Sequence, residues 1–121
     1  MNARERLIVA LDYPDSASAL ALVRTLADEV TFYKIGLQLF TAAGADIVRA
    51  VKAQRKRVFL DLKFHDIPNT VAGAVASVAS LGIDMLTIHA AGGAAMIESA
   101  ANAATKAAHP PVVLAVTVLT S

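Results

Sequence analysis

Short apolar runs rich in branched side chains recur along this chain, each followed by a longer segment with helical spacing. That alternation constrains the fold more than any other feature. The first run, Arg6-Leu7-Ile8-Val9-Ala10-Leu11-Asp12, reads as a buried strand. Tyr13-Pro14-Asp15 interrupts it, and Asp15 or Ser16 is placed to cap a helix whose apolar positions Leu20, Val23, Leu26 and Ala27 recur at helical spacing. The unit then repeats. Strands are expected over residues 31–36, 57–63, 85–90 and 112–120, and helices over about 38–53, 69–81 and 94–107. Gly82 closes the third helix, Gly92-Gly93 makes a turn, and His109-Pro110-Pro111 stops the last helix. Strands alternating with helices of this length imply parallel pairing through right-handed crossovers.

The charges within the strands narrow the architecture further. Residues two apart on a strand share a face, so Phe59, Asp61 and Lys63 point one way while Val58, Leu60 and Leu62 point the other. Phe32 and Lys34 likewise oppose Tyr33 and Ile35, and Ile8, Ala10 and Asp12 oppose Leu7, Val9 and Leu11. One face is aliphatic and suited to lie under helices; the other ends in charge near the C-terminal edge. A βα barrel has that layout, packed below and chemical at its top. A doubly wound sheet would also bind ligand at that edge, but no Gly-x-Gly-x-x-Gly follows the first strand. The expected class is α/β, a parallel (β/α) TIM-barrel type. A full barrel takes about 250 residues. These 121 residues supply about the first five strands and four helices, as a single partial domain over residues 1–121. Strands one and five would be apolar edges, which proteins normally cover. The chain is therefore expected to be a piece of a longer protein, or one of two copies that meet to close something barrel-like.

Composition excludes several classes. With 11 Lys and Arg against 10 Asp and Glu, the net charge is +1, too balanced for a general nucleic-acid binder. The absence of cysteine removes disulfide scaffolds and thiolate metal sites. The start Met1-Asn2-Ala3-Arg4-Glu5 carries no signal-peptide pattern, and the longest uncharged stretch falls short of the roughly 20 apolar residues of a membrane span and carries Ser and Gly. The expectation is a soluble, cytoplasmic protein with neither nucleic-acid nor membrane partners.

The informative segment is Asp61-Leu62-Lys63-Phe64-His65-Asp66-Ile67-Pro68-Asn69-Thr70. A strand, a loop and a helix cap account for part of it: Pro68 holds Ile67 extended, and Asn69 or Thr70 caps the next helix. Asp61 and Lys63 are not covered by that explanation, because charges facing the interior of a parallel sheet are costly unless paired. Lys34 and Asp12 sit at matching heights on neighbouring strands, so a functional array is the stronger expectation than a structural ion pair. Alternating carboxylates favour protonated lysines. A fixed ammonium can deliver a proton to a developing carbanion. A neighbouring carboxylate would repel a substrate carboxylate in the ground state, and the repulsion would vanish as carbon dioxide leaves. The spacing alone favours decarboxylation only weakly over other carbanion chemistry.

Over its whole length the sequence resembles bacterial-type orotidine 5′-phosphate decarboxylases. The resemblance is densest at Leu7-Ile8-Val9-Ala10-Leu11-Asp12, Tyr33-Lys34-Ile35-Gly36, the Asp61–Thr70 block and Val116-Thr117-Val118-Leu119-Thr120-Ser121. It implies that Lys63 donates a proton to C6 of the pyrimidine and that Asp61 faces the substrate carboxylate. It implies too that Asp66 completes the array from the neighbouring subunit of a homodimer, with Ile67 and Thr70 reaching across alike. Lys34 would be the second lysine and touch the ribose, Asp12 would bind a ribose hydroxyl, and Thr120 would lie near the pyrimidine ring. No metal or organic cofactor is implied, and the partner is a small nucleotide. The family's phosphate-binding elements belong to a second half, so the 121 residues alone are expected to have little or no activity. The alternatives are a Mg-dependent hexulose-phosphate synthase-like lyase or aldolase, which shares Asp-x-Lys-x-x-Asp, and a non-catalytic fragment. His65 is expected to be structural, His89 to line the barrel mouth or sit in the core, and His109 to be exposed. Arg55-Lys56-Arg57 is expected to be a solvated turn, and Met85 and Met96 core filler.

Overall fold

The computed structural model describes residues 2–121, and packing divides the chain into two compact units, Met1–Asp61 and Leu62–Ser121. In the first, strand β1 (Val9–Ala10) pairs in parallel with β2 (Phe32–Gly36) through Val9↔Tyr33 and Ala10↔Lys34. Strand β2 pairs in parallel with β3 (Arg57–Phe64) from Phe32↔Arg57 to Gly36↔Asp61. The first strand is shorter than the expected run over 6–12. Arg4–Arg6 form a 3-10 turn, and Leu7 and Ile8 are 47% and 37% exposed. Beyond the strand, Leu11 N–H still donates to the Lys34 carbonyl at 2.9 Å.

Helix α1 (Ser16–Leu26) is capped by Asp15, whose Oδ1 accepts from Ser18 N–H at 2.7 Å. These hydrogen bonds favour the carboxylate and hold Asp15 below the usual range. The expected helix over 38–53 is two helices, α2 (Leu37–Ala43) and α3 (Ala45–Ala53). They break at Gly44, whose φ of +66° is left-handed and whose N–H closes α2 on the Phe40 carbonyl at 2.7 Å. Under these helices lie Tyr33, Ile35, Leu39, Ile47, Val48 and Val58, all at most 1% exposed. The aliphatic strand face is thus the buried one, as alternation requires. The Tyr33 hydroxyl is buried there with no hydrogen-bond partner, and burial raises its pKa.

The basic cluster differs from expectation. Arg55, with φ of +61°, makes the turn, but Lys56 is only 9% exposed. Its Nζ donates to the Ala27 and Val30 carbonyls at 2.7 and 3.0 Å, satisfying acceptors around the 3-10 turn Ala27–Glu29. The Arg57 guanidinium stacks over Phe32, 4.1 Å from the ring centroid. A long apolar stem lets a lysine cross the core rim and spend its charge on open carbonyls.

In the second unit β3 runs out at Phe64 and leads through a loop to α4 (Pro68–Ala79), β4 (Met85–His89), α5 (Ala94–Thr105) and β5 (Val112–Val116). Strands β4 and β5 pair in parallel from Met85↔Val112 to His89↔Val116. The expected strand over 112–120 stops at Val116 because its ladder partner stops at His89. Pro68 occupies the first turn of α4 and Ile67 is its N-cap, extended at φ −61° and ψ 152° with no side-chain cap bond. Asn69 and Thr70 therefore lie inside the first turn rather than capping it. The turn after β4 is a 3-10 helix, Ala90–Gly92, followed by Gly93 at φ +94°. At Gly92 a Cβ would meet the end of the Met96 side chain, itself 0% exposed, so any side chain there must displace it. Met85, at the start of β4, is half-buried.

Val71, Val75, Ile83, Leu86 and Ile88 complete this unit's core. On β5, Val112 and Leu114 are 53% and 42% exposed, the apolar edge the sequence led one to expect. Among the described residues no helix is long and apolar enough to cross a membrane. The class is α/β, with parallel strands and intervening helices in (β/α)-barrel order; among the described residues the α-helices number five only because Gly44 divides the second.

Candidate active site

In the first unit, strand register assembles the charged residues. Ala10 lies across from Lys34 and Gly36 across from Asp61, which brings Asp12, Gly36 and Asp61 to one level at the C-terminal edge. Lys34, one step below on the same face, reaches up to Asp61, with Nζ 3.7 Å from Oδ2. The lysine side chain is 29% exposed and the aspartate 12%, so the pair sits in a partly desolvated mouth. At that separation the contact is electrostatic, longer than a hydrogen bond. The Asp12 carboxylate stands beside Gly36, 3.5 Å from where a Cβ would be. A larger residue at 36 would crowd an exposed acid that is otherwise open to a ligand.

In the second unit, Lys63 lies two residues beyond Asp61 on β3, and its backbone is not extended. Its φ is +51°, a left-handed value inside a strand, and its N–H donates to the Thr87 hydroxyl at 2.9 Å. Simple alternation therefore does not fix the direction of the Lys63 side chain. A cavity of about 240 Å³ is lined by Lys63, His65, Asp66, Thr70 and neighbouring apolar groups. The Asp66 carboxylate accepts from Ile67 N–H at 2.7 Å, which fixes the loop before Pro68. Asp66 and Thr70 are exposed, and Ile67 is 65% exposed. Thr120 lies beyond β5 and is exposed. A larger cavity, about 480 Å³, opens between the C-terminal ends of α4 and α5 beside Ala79, Lys106 and His109, and holds none of these acids.

The three histidines separate by environment. His65 and His89 place their rings 5.1 Å apart at the ends of β3 and β4. His109 is largely exposed and pairs with Asp84 at 3.0 Å. Sequence reasoning missed Thr87 and the part Gly36 plays. Thr87 left a signal, a hydroxyl residue between Leu86 and Ile88 in a strand otherwise suited to a dry core. Gly36 left only its small size.

Parallel strands alternating with helices, with acids and a lysine gathered at the C-terminal strand edge, define a (β/α)-barrel-type protein. Comparison with known proteins places it more closely. Residues 5–121 match the model of the orotidine 5′-phosphate decarboxylase / HUMPS family, and the chain belongs to that family. It is 53% identical to the orotidine 5′-phosphate decarboxylase of Moorella thermoacetica, over 100% of this chain and 50% of that protein. It is 51% identical to that of Nostoc sp., over 97% and 51%. Among solved structures, the decarboxylase from Lactobacillus acidophilus superposes with a TM-score of 0.87 at 42% identity, covering 94% of this chain and 53% of that one. The decarboxylase from Pyrococcus horikoshii gives 0.72 at 27% identity, covering 78% and 46%. The chain thus spans about half the length of the curated relatives it matches.

Proposed function

We propose that these residues form the N-terminal part of an enzyme that decarboxylates orotidine 5′-phosphate to UMP in pyrimidine synthesis. The supporting observation is the Lys34–Asp61 pair at the strand edge with Asp12 at the same level. Asp61 faces the substrate carboxylate, and its repulsion is relieved as the bond from C6 to that carboxylate breaks and carbon dioxide departs. The electron pair left on C6 takes a proton from the Lys63 ammonium, giving UMP and a neutral amine. Lys34 and Asp12 hold the ribose, and Thr120 approaches the pyrimidine. The fold over residues 1–121 is part of one barrel domain, working in the cytoplasm.

Asp66, Ile67 and Thr70 serve the site of a second copy in a homodimer. Their shared exposure along the loop and first turn that open α4 supports that assignment. The phosphate grip belongs to the part of the relatives' length that this chain does not span. Because remote binding energy supports the chemical step, the 121 residues alone should turn over little or no substrate. The test is UMP formation by the chain alone and with the second half of the Moorella relative supplied in trans. Activity is expected only in the mixture, with Lys63→Ala lowering kcat by about 10²–10⁴-fold, the usual worth of a general acid. A Lys63→Ala mixture as active as the parent would remove the assignment.

A further inference from the structure

Lys63 has the long side chain of a residue that ordinarily avoids left-handed backbone, yet it adopts φ +51° inside β3. Such a conformation persists only where the surroundings over-determine it. Its N–H donates to the Thr87 side-chain hydroxyl at 2.9 Å, a side-chain partner for a strand amide. Thr87 is 4% exposed and sits in the middle of β4 between Leu86 and Ile88, both 0% exposed. With Lys56, it is one of two buried polar residues among those described. A hydroxyl in that place is costly unless it is hydrogen-bonded. Its β-branch restricts χ1, so the oxygen is held by the strand it stands on.

We infer that Thr87 is a positioning residue: its hydroxyl holds the backbone of residue 63 in the left-handed form and thereby sets the direction in which the Lys63 ammonium is presented. The functional weight of this rests on Lys63 as the proton donor, but the geometry can be tested without turnover. Thr87→Val keeps the shape and removes the acceptor; Thr87→Ser keeps the acceptor. In the isotopically labelled 121-residue chain, hydrogen exchange of the Lys63 amide and the Cα and Cβ shifts of residue 63 report the bond and the backbone form. Thr87→Val should raise exchange of the Lys63 amide at least tenfold and move its shifts towards extended values, while amides elsewhere in β4 stay protected. Thr87→Ser should restore both.

A valine variant that keeps the Lys63 amide protected and its shifts left-handed overturns the proposal. If that variant does not fold, Thr87→Ala gives the same readout. Parent-chain shifts of an extended residue at position 63 overturn it without any variant. None of these outcomes bears on UMP formation, so failure here and failure of the decarboxylase assignment are separately visible.

Discussion

The two compact units hold their charged residues in place by different physical means. In the first, regular parallel pairing does it: the register of β1, β2 and β3 puts Asp12, Lys34 and Asp61 at the strand edge without an unusual dihedral angle among them. In the second, Lys63 depends on a left-handed backbone tied to a threonine hydroxyl, and Asp66 on a loop fixed by its own carboxylate and by Pro68. Charges carried on a ladder inherit its precision at little cost. Charges carried past the end of the ladder need local strain and dedicated polar contacts.

That contrast predicts where substitutions are expensive. Gly92→Ala, in the irregular turn after β4, drives a methyl into buried Met96 and should cost about 1–3 kcal/mol in urea denaturation. Gly36→Ala, on the ladder, meets only ordinary contact at 3.5 Å and should be near neutral. Equal costs at the two glycines would break the contrast. Next, Lys34→Met withdraws the cation 3.7 Å from a carboxylate that is only 12% exposed, and should destabilise by about 1–2 kcal/mol. Adding Asp61→Leu should return most of that, because a well-packed apolar pair often matches a partly buried ion pair. A double-mutant cycle measures the coupling, and additive losses would show that the pair is not a unit.

A third substitution sharpens the other side. Lys63→Gly relieves the left-handed strain and should be more stable than Lys63→Ala by about 1 kcal/mol. The reverse order, as for an ordinary strand residue, would contradict the strain. The smallest effect is at Tyr33, whose buried hydroxyl lacks a partner. Tyr33→Phe should be neutral or stabilising by up to about 1 kcal/mol. Burial raises the folded-state pKa, so the folded chain keeps that proton when the unfolded chain has lost it. The stability this contributes is present below about pH 10 and is lost as pH rises from there through the folded pKa. Tyr33→Phe should flatten that alkaline decline in a pH series of thermal melts.

The same contrast explains what could be read from sequence. Alternation placed Lys34 and Asp61 on the inward face because β2 and β3 are regular where those residues sit. Asp15 was legible as a cap because its carboxylate needs only a helix three residues on. Lys63 was assigned to the right strand, but its direction depends on a dihedral angle that no periodicity encodes. The break at Gly44 was hidden for the same reason, since α2 and α3 together keep one helical pattern. Lys56 misled because three consecutive basic residues look solvated, whereas the carbonyls it reaches are 26 and 29 positions away. The end of β5 was set by its partner strand, which the sequence of β5 alone does not contain.

The proton from residue 63 is the step to measure. In deuterated water, the chain supplemented in trans with the second half of the Moorella relative should release UMP carrying deuterium at C6, at a rate that collapses with Lys63→Ala and is left intact by Tyr33→Phe. Undiminished UMP formation by the Lys63→Ala protein would contradict a lysine donor and, with it, the chemistry assigned to this strand edge.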